Sequence, residues 1–87
     1  MSITVELTYE MSKALGVERF DVERARTVGD VVRLTRDKFG ERGEQFEKLT
    51  QVAAVVVNGV LINHRKGMRT ALADGDTVSF VKAAAGG

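Results

Sequence analysis

Residues 54–62 read Ala54-Val55-Val56-Val57-Asn58-Gly59-Val60-Leu61-Ile62. An Asn-Gly pair stands between two apolar runs rich in β-branched residues. Asn-Gly supplies the positive φ angles that a two-residue hairpin turn requires. The stretch therefore predicts two antiparallel strands, tightly joined. Downstream, Asp74-Gly75-Asp76 marks a second turn. It opens a strand over 77–82 whose Val78 and Phe80 face the core. Asp74 and Asp76 are read as turn residues around a glycine, not as a catalytic carboxylate pair. Residues 63–69, polar and basic, are read as loop.

Upstream, Ile3, Val5, Leu7 and Tyr9 alternate with Ser2, Thr4, Glu6 and Thr8. Period two with one polar face predicts a half-buried strand. The alternation breaks over 10–16, read as a turn or short helical loop. It resumes over 19–23 with Phe20 and Val22 apolar, which predicts an amino-terminal hairpin. Thr27-Val28-Gly29-Asp30 has the shape of a capping box, a threonine cap with an acid three residues on. Val28, Val31, Val32, Thr35 and Phe39 then share one helical face, and Arg33, Arg36 and Asp37 occupy the other. Gly40 is the expected stop. Residues 41–51 are a candidate short second helix, pinned by Phe46 and Leu49.

This order describes an α+β domain, a sheet of four to five strands with one main helix packed on one face. One amphipathic helix covers only one face of a sheet. The other face is then wet or meets a partner. Strand one offers a polar open face. Ala54, Val56, Leu61 and Val81 admit two readings. They form an apolar area on the open face, which would mark a protein contact, or they are buried in fully covered central strands.

The chain has 87 residues, 13 Lys+Arg against 12 Asp+Glu, one histidine, and no cysteine, proline or tryptophan. The length fits one domain. Without cysteine there is no disulfide framework, thiolate zinc site or cysteine nucleophile. The near balance of charge argues against a nucleic-acid binder. No apolar run approaches the roughly 20 residues that span a bilayer, so no membrane association is expected. The alternating start is neither a signal nor a transit peptide, and a cytoplasmic location is the expectation. Ser2, Ser12 and Ser79 lack a histidine nearby in sequence, and nothing clusters at a metal-ligand spacing. No catalytic constellation and no metal site are expected. His64-Arg65-Lys66 and Arg69 form a basic run short enough to read as a solvated loop.

Beyond Lys82 come Ala83-Ala84-Ala85-Gly86-Gly87. Small residues offer no bulk to pack, so the sequence divides into a domain over 1–82 and a flexible tail over 83–87. A Gly-Gly filament is slim enough to thread a narrow channel. It also leaves the Gly87 carboxylate unshielded, open to activation as a mixed anhydride and transfer as an acyl group.

Three features together resemble the ubiquitin-like β-grasp sulfur carriers, over nearly the whole chain. They are Thr27-Val28-Gly29-Asp30-Val31 at the helix start, Val57-Asn58-Gly59 at the hairpin, and Leu72-Ala73-Asp74-Gly75-Asp76-Thr77-Val78 leading to Gly86-Gly87. The third is the most specific. The family includes the small subunit of molybdopterin synthase and the thiamine-biosynthesis carrier. The 9–16 segment and the total length look more like the molybdopterin type. Many members carry prolines before the tail, where this chain has Lys82-Ala83-Ala84-Ala85.

The resemblance implies a β-grasp fold with a mixed sheet. It also implies that a ubiquitin-activating-type enzyme uses ATP to adenylate Gly87 and that a sulfurtransferase persulfide displaces AMP. The resulting thiocarboxylate donates sulfur, for the molybdopterin type to a pterin precursor held by the synthase large subunit. The chain is then a carrier and not itself an enzyme, with no cofactor bound to it. Gly86 and Ala85 keep the tail slim behind Gly87. Val56, Leu61 and Val81 are the candidate docking patch. Arg65, Lys66, Arg69 and Lys82 are the candidate charged rim, which would steer an acidic partner. The alternatives are a carrier for thiamine, cysteine or tRNA thiolation, a protein modifier joined through Gly87 to lysine, and an RNA- or protein-interaction module. The last predicts salt-sensitive binding that survives loss of Gly86-Gly87.

Overall fold

The structure is a computed structural model that describes residues 1–62 and 67–83. The elements run β1 (Ser2–Glu6), α1 (Tyr9–Leu15), β2 (Arg19–Glu23), α2 (Val28–Phe39), α3 (Glu41–Thr50), β3 (Ala53–Val57), β4 (Val60–Leu61) and β5 (Thr77–Lys82). A 3-10 turn over Gly67–Arg69 precedes β5. The five strands form one sheet in the order β2-β1-β5-β3-β4. β1 and β5 run parallel, and every other pairing is antiparallel. The sheet is thus mixed, with the first and last strands side by side at its centre.

The expected hairpins form. At the β3–β4 turn Asn58 has φ 50° and Gly59 φ 83°, the positive pair that Asn-Gly tolerates. The Asn58 side chain adds a tie invisible in local sequence. It donates to Asp76 Oδ1 at 2.9 Å and accepts from Thr77 N at 2.9 Å. Asp76 Oδ2 also accepts from Ala73 N, and Asp74 Oδ1 from Ser2 N. Asp76 ties its own turn to the β3–β4 turn and Asp74 ties it to the start of β1, in keeping with their reading as turn residues.

The segment over 10–16 is largely helix. Thr8 Oγ1 accepts from Met11 N at 3.1 Å and caps α1, which buries Met11 and Leu15. α2 starts on the expected capping box. Thr27 Oγ1 accepts from Asp30 N, and Asp30 Oδ2 accepts from Thr27 N. Val28, Val31 and Val32 are buried against the sheet, with Phe39 at the edge of the core. Each such side chain contributes roughly 1.5–3 kcal/mol relative to exposure. α2 ends at Gly40, whose φ 58° and ψ −123° suit glycine alone. α3 then folds back and inserts Phe46, fully buried, edge-on to Phe80 of β5 at 5.6 Å between centroids. Leu49 is partly buried beside it. All three helices thus add to a core on one face of the sheet.

Thr35 lies inside that core. Its Oγ1 is buried and finds no hydrogen-bond partner among the described residues. A buried hydroxyl without a partner costs desolvation with no return. Thr35→Val keeps the shape and removes that cost. Thermal unfolding is expected to show a gain of about 1 kcal/mol, and a loss would mean that the hydroxyl is satisfied.

Asp30 and Asp76 both titrate below their ordinary value of 3.8. For Asp30 the first cause is the hydrogen bond from the Arg26 amide, and for Asp76 the one from the Ala73 amide. A carboxylate held low in the fold stabilises it above the unfolded pKa and loses that effect as pH falls through the folded one. Stability is therefore expected to drop as pH falls below 3.8. The drop should be shallower in Asp30→Asn and Asp76→Asn. Identical acid transitions in all three proteins would discount these bonds.

Candidate partner-docking site

Residues directly opposite one another on neighbouring strands lie on the same face of a sheet. Val56 pairs with Leu61 on β4 and with Ser79 on β5, and Ala54 pairs with Val81. Their neighbours Ala53, Val55, Val57, Val78 and Phe80 are buried toward the helices. Val56, Leu61 and Val81 therefore share the face that no helix covers. Leu61 is 67% exposed, Val81 39%, and Ala54 and Val56 are half-buried. Of the two readings open in the sequence, the apolar open face is the one that forms. It spans the end of β5, from which residues 83–87 continue.

Of the expected charged rim, Lys82 does not share the face of this patch. Lys82 pairs with Ala53 and so has the parity of the core-facing residues. It lines a shallow depression of about 280 Å³ on the helix side, with Leu49, Val52, Ala53 and Ala83, and Thr8 and Glu10 at its edge. Arg69 belongs to the 3-10 turn packed against the start of α2, where Thr70 O accepts from Val28 N at 3.1 Å. Strand parity puts Lys82 on the side opposite the patch. Arg65, Lys66, Ala85, Gly86 and Gly87 lie outside the described residues.

Two open-face residues that the sequence did not place at the docking patch are Glu6 and Ser79. Ser79 Oγ donates to Glu6 Oε1 at 2.7 Å across the parallel β1–β5 pair. Local alternation marked Glu6 only as solvent-facing. Its place beside the apolar patch follows from the pairing of strands 73 residues apart. Among the described residues, no group of three His, Cys, Asp or Glu side chains is placed to hold a metal ion. No helix among them is long and apolar enough to cross a membrane.

The arrangement can dock a partner on a sheet face and offer it the residues beyond β5. Similar structures are known. A chain in the BexX/CysO complex of Amycolatopsis orientalis is 26% identical, with a TM-score of 0.72, 98% of this chain and 99% of that one being covered. The Haloferax volcanii HVO 2177 protein is 29% identical with a TM-score of 0.74, covering 100% of this chain and 87% of its own. A chain in the complex of subunits 1 and 2 of molybdopterin-converting factor from Helicobacter pylori 26695 is 22% identical with a TM-score of 0.67, covering 100% of each chain. These neighbours have the β-grasp, ubiquitin-like architecture seen here. No curated protein sequence matches the chain. The profile of the ThiS family matches residues 5–87, from the first strand through Gly86-Gly87, and the chain belongs to that family of ubiquitin-like sulfur carriers.

Proposed function

We propose that this protein carries sulfur as a thiocarboxylate on Gly87 and serves as the small subunit of a molybdopterin synthase. In this reading the Gly87 carboxylate attacks the α-phosphorus of ATP on a ubiquitin-activating-type enzyme, and pyrophosphate leaves. The terminal sulfur of a sulfurtransferase persulfide attacks the acyl carbon, and AMP leaves. A thiol then splits the acyl disulfide and frees the thiocarboxylate. Its sulfur passes to a pterin precursor on a large subunit. ATP binds the activating enzyme, and this chain is a substrate in every step. Val56, Leu61 and Val81 dock the partner, and the tail over 83–87, with Ala85 and Gly86 behind the reacting terminus, enters its channel.

The observation that carries this reading is the family match extending through Gly87. The uncovered apolar face at the end of β5 supports it, because a tail handed to a partner needs a nearby grip. A similar chain found in the complex of molybdopterin-converting factor subunits supports the pterin route.

Intact mass spectrometry tests it. The protein, incubated with ATP, an activating enzyme and a sulfurtransferase, is expected to gain the mass difference between sulfur and oxygen. A variant lacking Gly87 is expected to gain nothing. Supplied with the pterin precursor and a large subunit, the charged protein should return to its starting mass. No gain with several competent activating enzymes would sink the carrier reading. A gain that persists in the pterin arm would move the sulfur to another acceptor.

A further inference from the structure

The open face is apolar on one side and acidic on the other. Ala54, Val56, Leu61 and Val81 occupy the β5–β3–β4 side. On the β1–β2 side, Thr4 pairs with Asp21, Glu6 with Arg19 and Ser2 with Glu23. Three carboxylates there meet one guanidinium. The row Arg19–Glu6–Ser79–Val56–Leu61 runs straight across the sheet. Among the described charged residues of this face, Glu6 lies in the same row as the patch, roughly 10 Å from Val56 by strand spacing, with Ser79 between.

Glu6 is also held in place. Ser79 Oγ donates to its Oε1 at 2.7 Å. Arg19, although opposite in register, forms no ion pair with it among the described residues. Glu6 Oε2 makes no hydrogen bond among them either. Among the described residues, a half-buried, positioned carboxylate beside an apolar patch is therefore left with an open acceptor. The sequence reading expected a basic rim and an acidic partner. Among the described residues, the side-chain charges that share the patch's face are mainly acidic, Glu6, Asp21 and Glu23 against Arg19.

We propose that the partner seated on the open face presents an apolar side chain to Val56, Leu61 and Val81 and an arginine or lysine to Glu6. This deepens the docking reading above and rests on it. Covering the patch expels water around Glu6, and a lower local dielectric strengthens a charge pair. The same change penalises a partner that leaves Glu6 unpaired or brings an acid to it. Ser79 is a positioning residue, since it orients the carboxylate and need not touch the partner.

Two measurements decide it. The first is adenylation kinetics, by pyrophosphate exchange, with an activating enzyme that accepts the wild-type chain. Glu6→Gln is expected to raise KM roughly tenfold and Glu6→Lys further, with kcat unchanged. The wild-type KM should climb with salt and that of Glu6→Gln should not. Equal KM values for wild type and Glu6→Lys would overturn the proposal. The second is an NMR titration with two short amphipathic peptides that share a leucine face, one carrying arginine where the other carries glutamate. The arginine peptide is expected to shift the amides of Glu6, Ser79, Val56 and Leu61 and to bind roughly tenfold more tightly. Equal binding, or binding of neither, would also overturn it. If no activating enzyme accepts the wild-type chain, the carrier reading fails, and the peptide titration still decides the charge preference.

Discussion

Gly43→Ala is expected to destabilise the domain by about 2–3 kcal/mol, although alanine is the better helix former by about 1 kcal/mol. Gly43 lies in the first turn of α3, where the backbone crosses the end of α2. A Cβ at this position would overlap the carbonyl oxygen of Arg36 and lie 2.7 Å from its Cα. Those are backbone atoms, and they cannot swing aside as a side-chain tip would. The Arg36–Glu47 ion pair, 3.0 Å long, ties the same two helices and resists their separation. α3 must therefore lift, and Phe46 with it, away from Phe80 of β5. The midpoint of thermal unfolding should fall by roughly 10 °C or more. Gly67→Ala is the control, because nothing stands within 4 Å of its Cβ. An unchanged midpoint in Gly43→Ala would mean that α2 and α3 are free to part.

Leu61→Asp is expected to leave stability nearly unchanged and to cut adenylation efficiency roughly thirtyfold. Leu61 is 67% exposed, so its replacement opens no cavity. It stands at the β4 edge of the open face, paired with Val56, and is the most exposed member of the patch. An aspartate there puts an unpaired charge into a dry contact and adds a second carboxylate to the row that holds Glu6. Val60→Asp separates this from a general effect. Val60 is 62% exposed on the same short strand, but its partner is Val57, on the core-facing side. It should activate like wild type. Loss of activity in both variants would place the contact at the β4 edge, and loss in neither would remove the patch from docking.

Local chemistry made most of the elements legible. Thr27 and Asp30 announce α2 because a capping box is closed within four residues. Asn58-Gly59 announces the hairpin because few other dipeptides adopt that turn. Val78 and Phe80 were placed by alternation alone, and both are buried. α1 was harder. Its seven residues carry too little periodicity to declare a helix, and only the tertiary core shows that Met11 and Leu15 belong inside.

The candidate site divides in the same way. The sequence alone determined the apolar residues Val56, Leu61 and Val81, the small-residue run 83–87, the turn role of Asp74 and Asp76, and the family resemblance, since each is written in neighbouring residues. Only the tertiary structure decided which face those apolar residues share, that Lys82 stands on the other, and that Glu6 and Ser79 border the patch. Those outcomes depend on β1 lying parallel beside β5, a pairing between segments at opposite ends of the chain. A pleat flips every side chain with each residue of register, so which face a residue takes is settled when the strands pair.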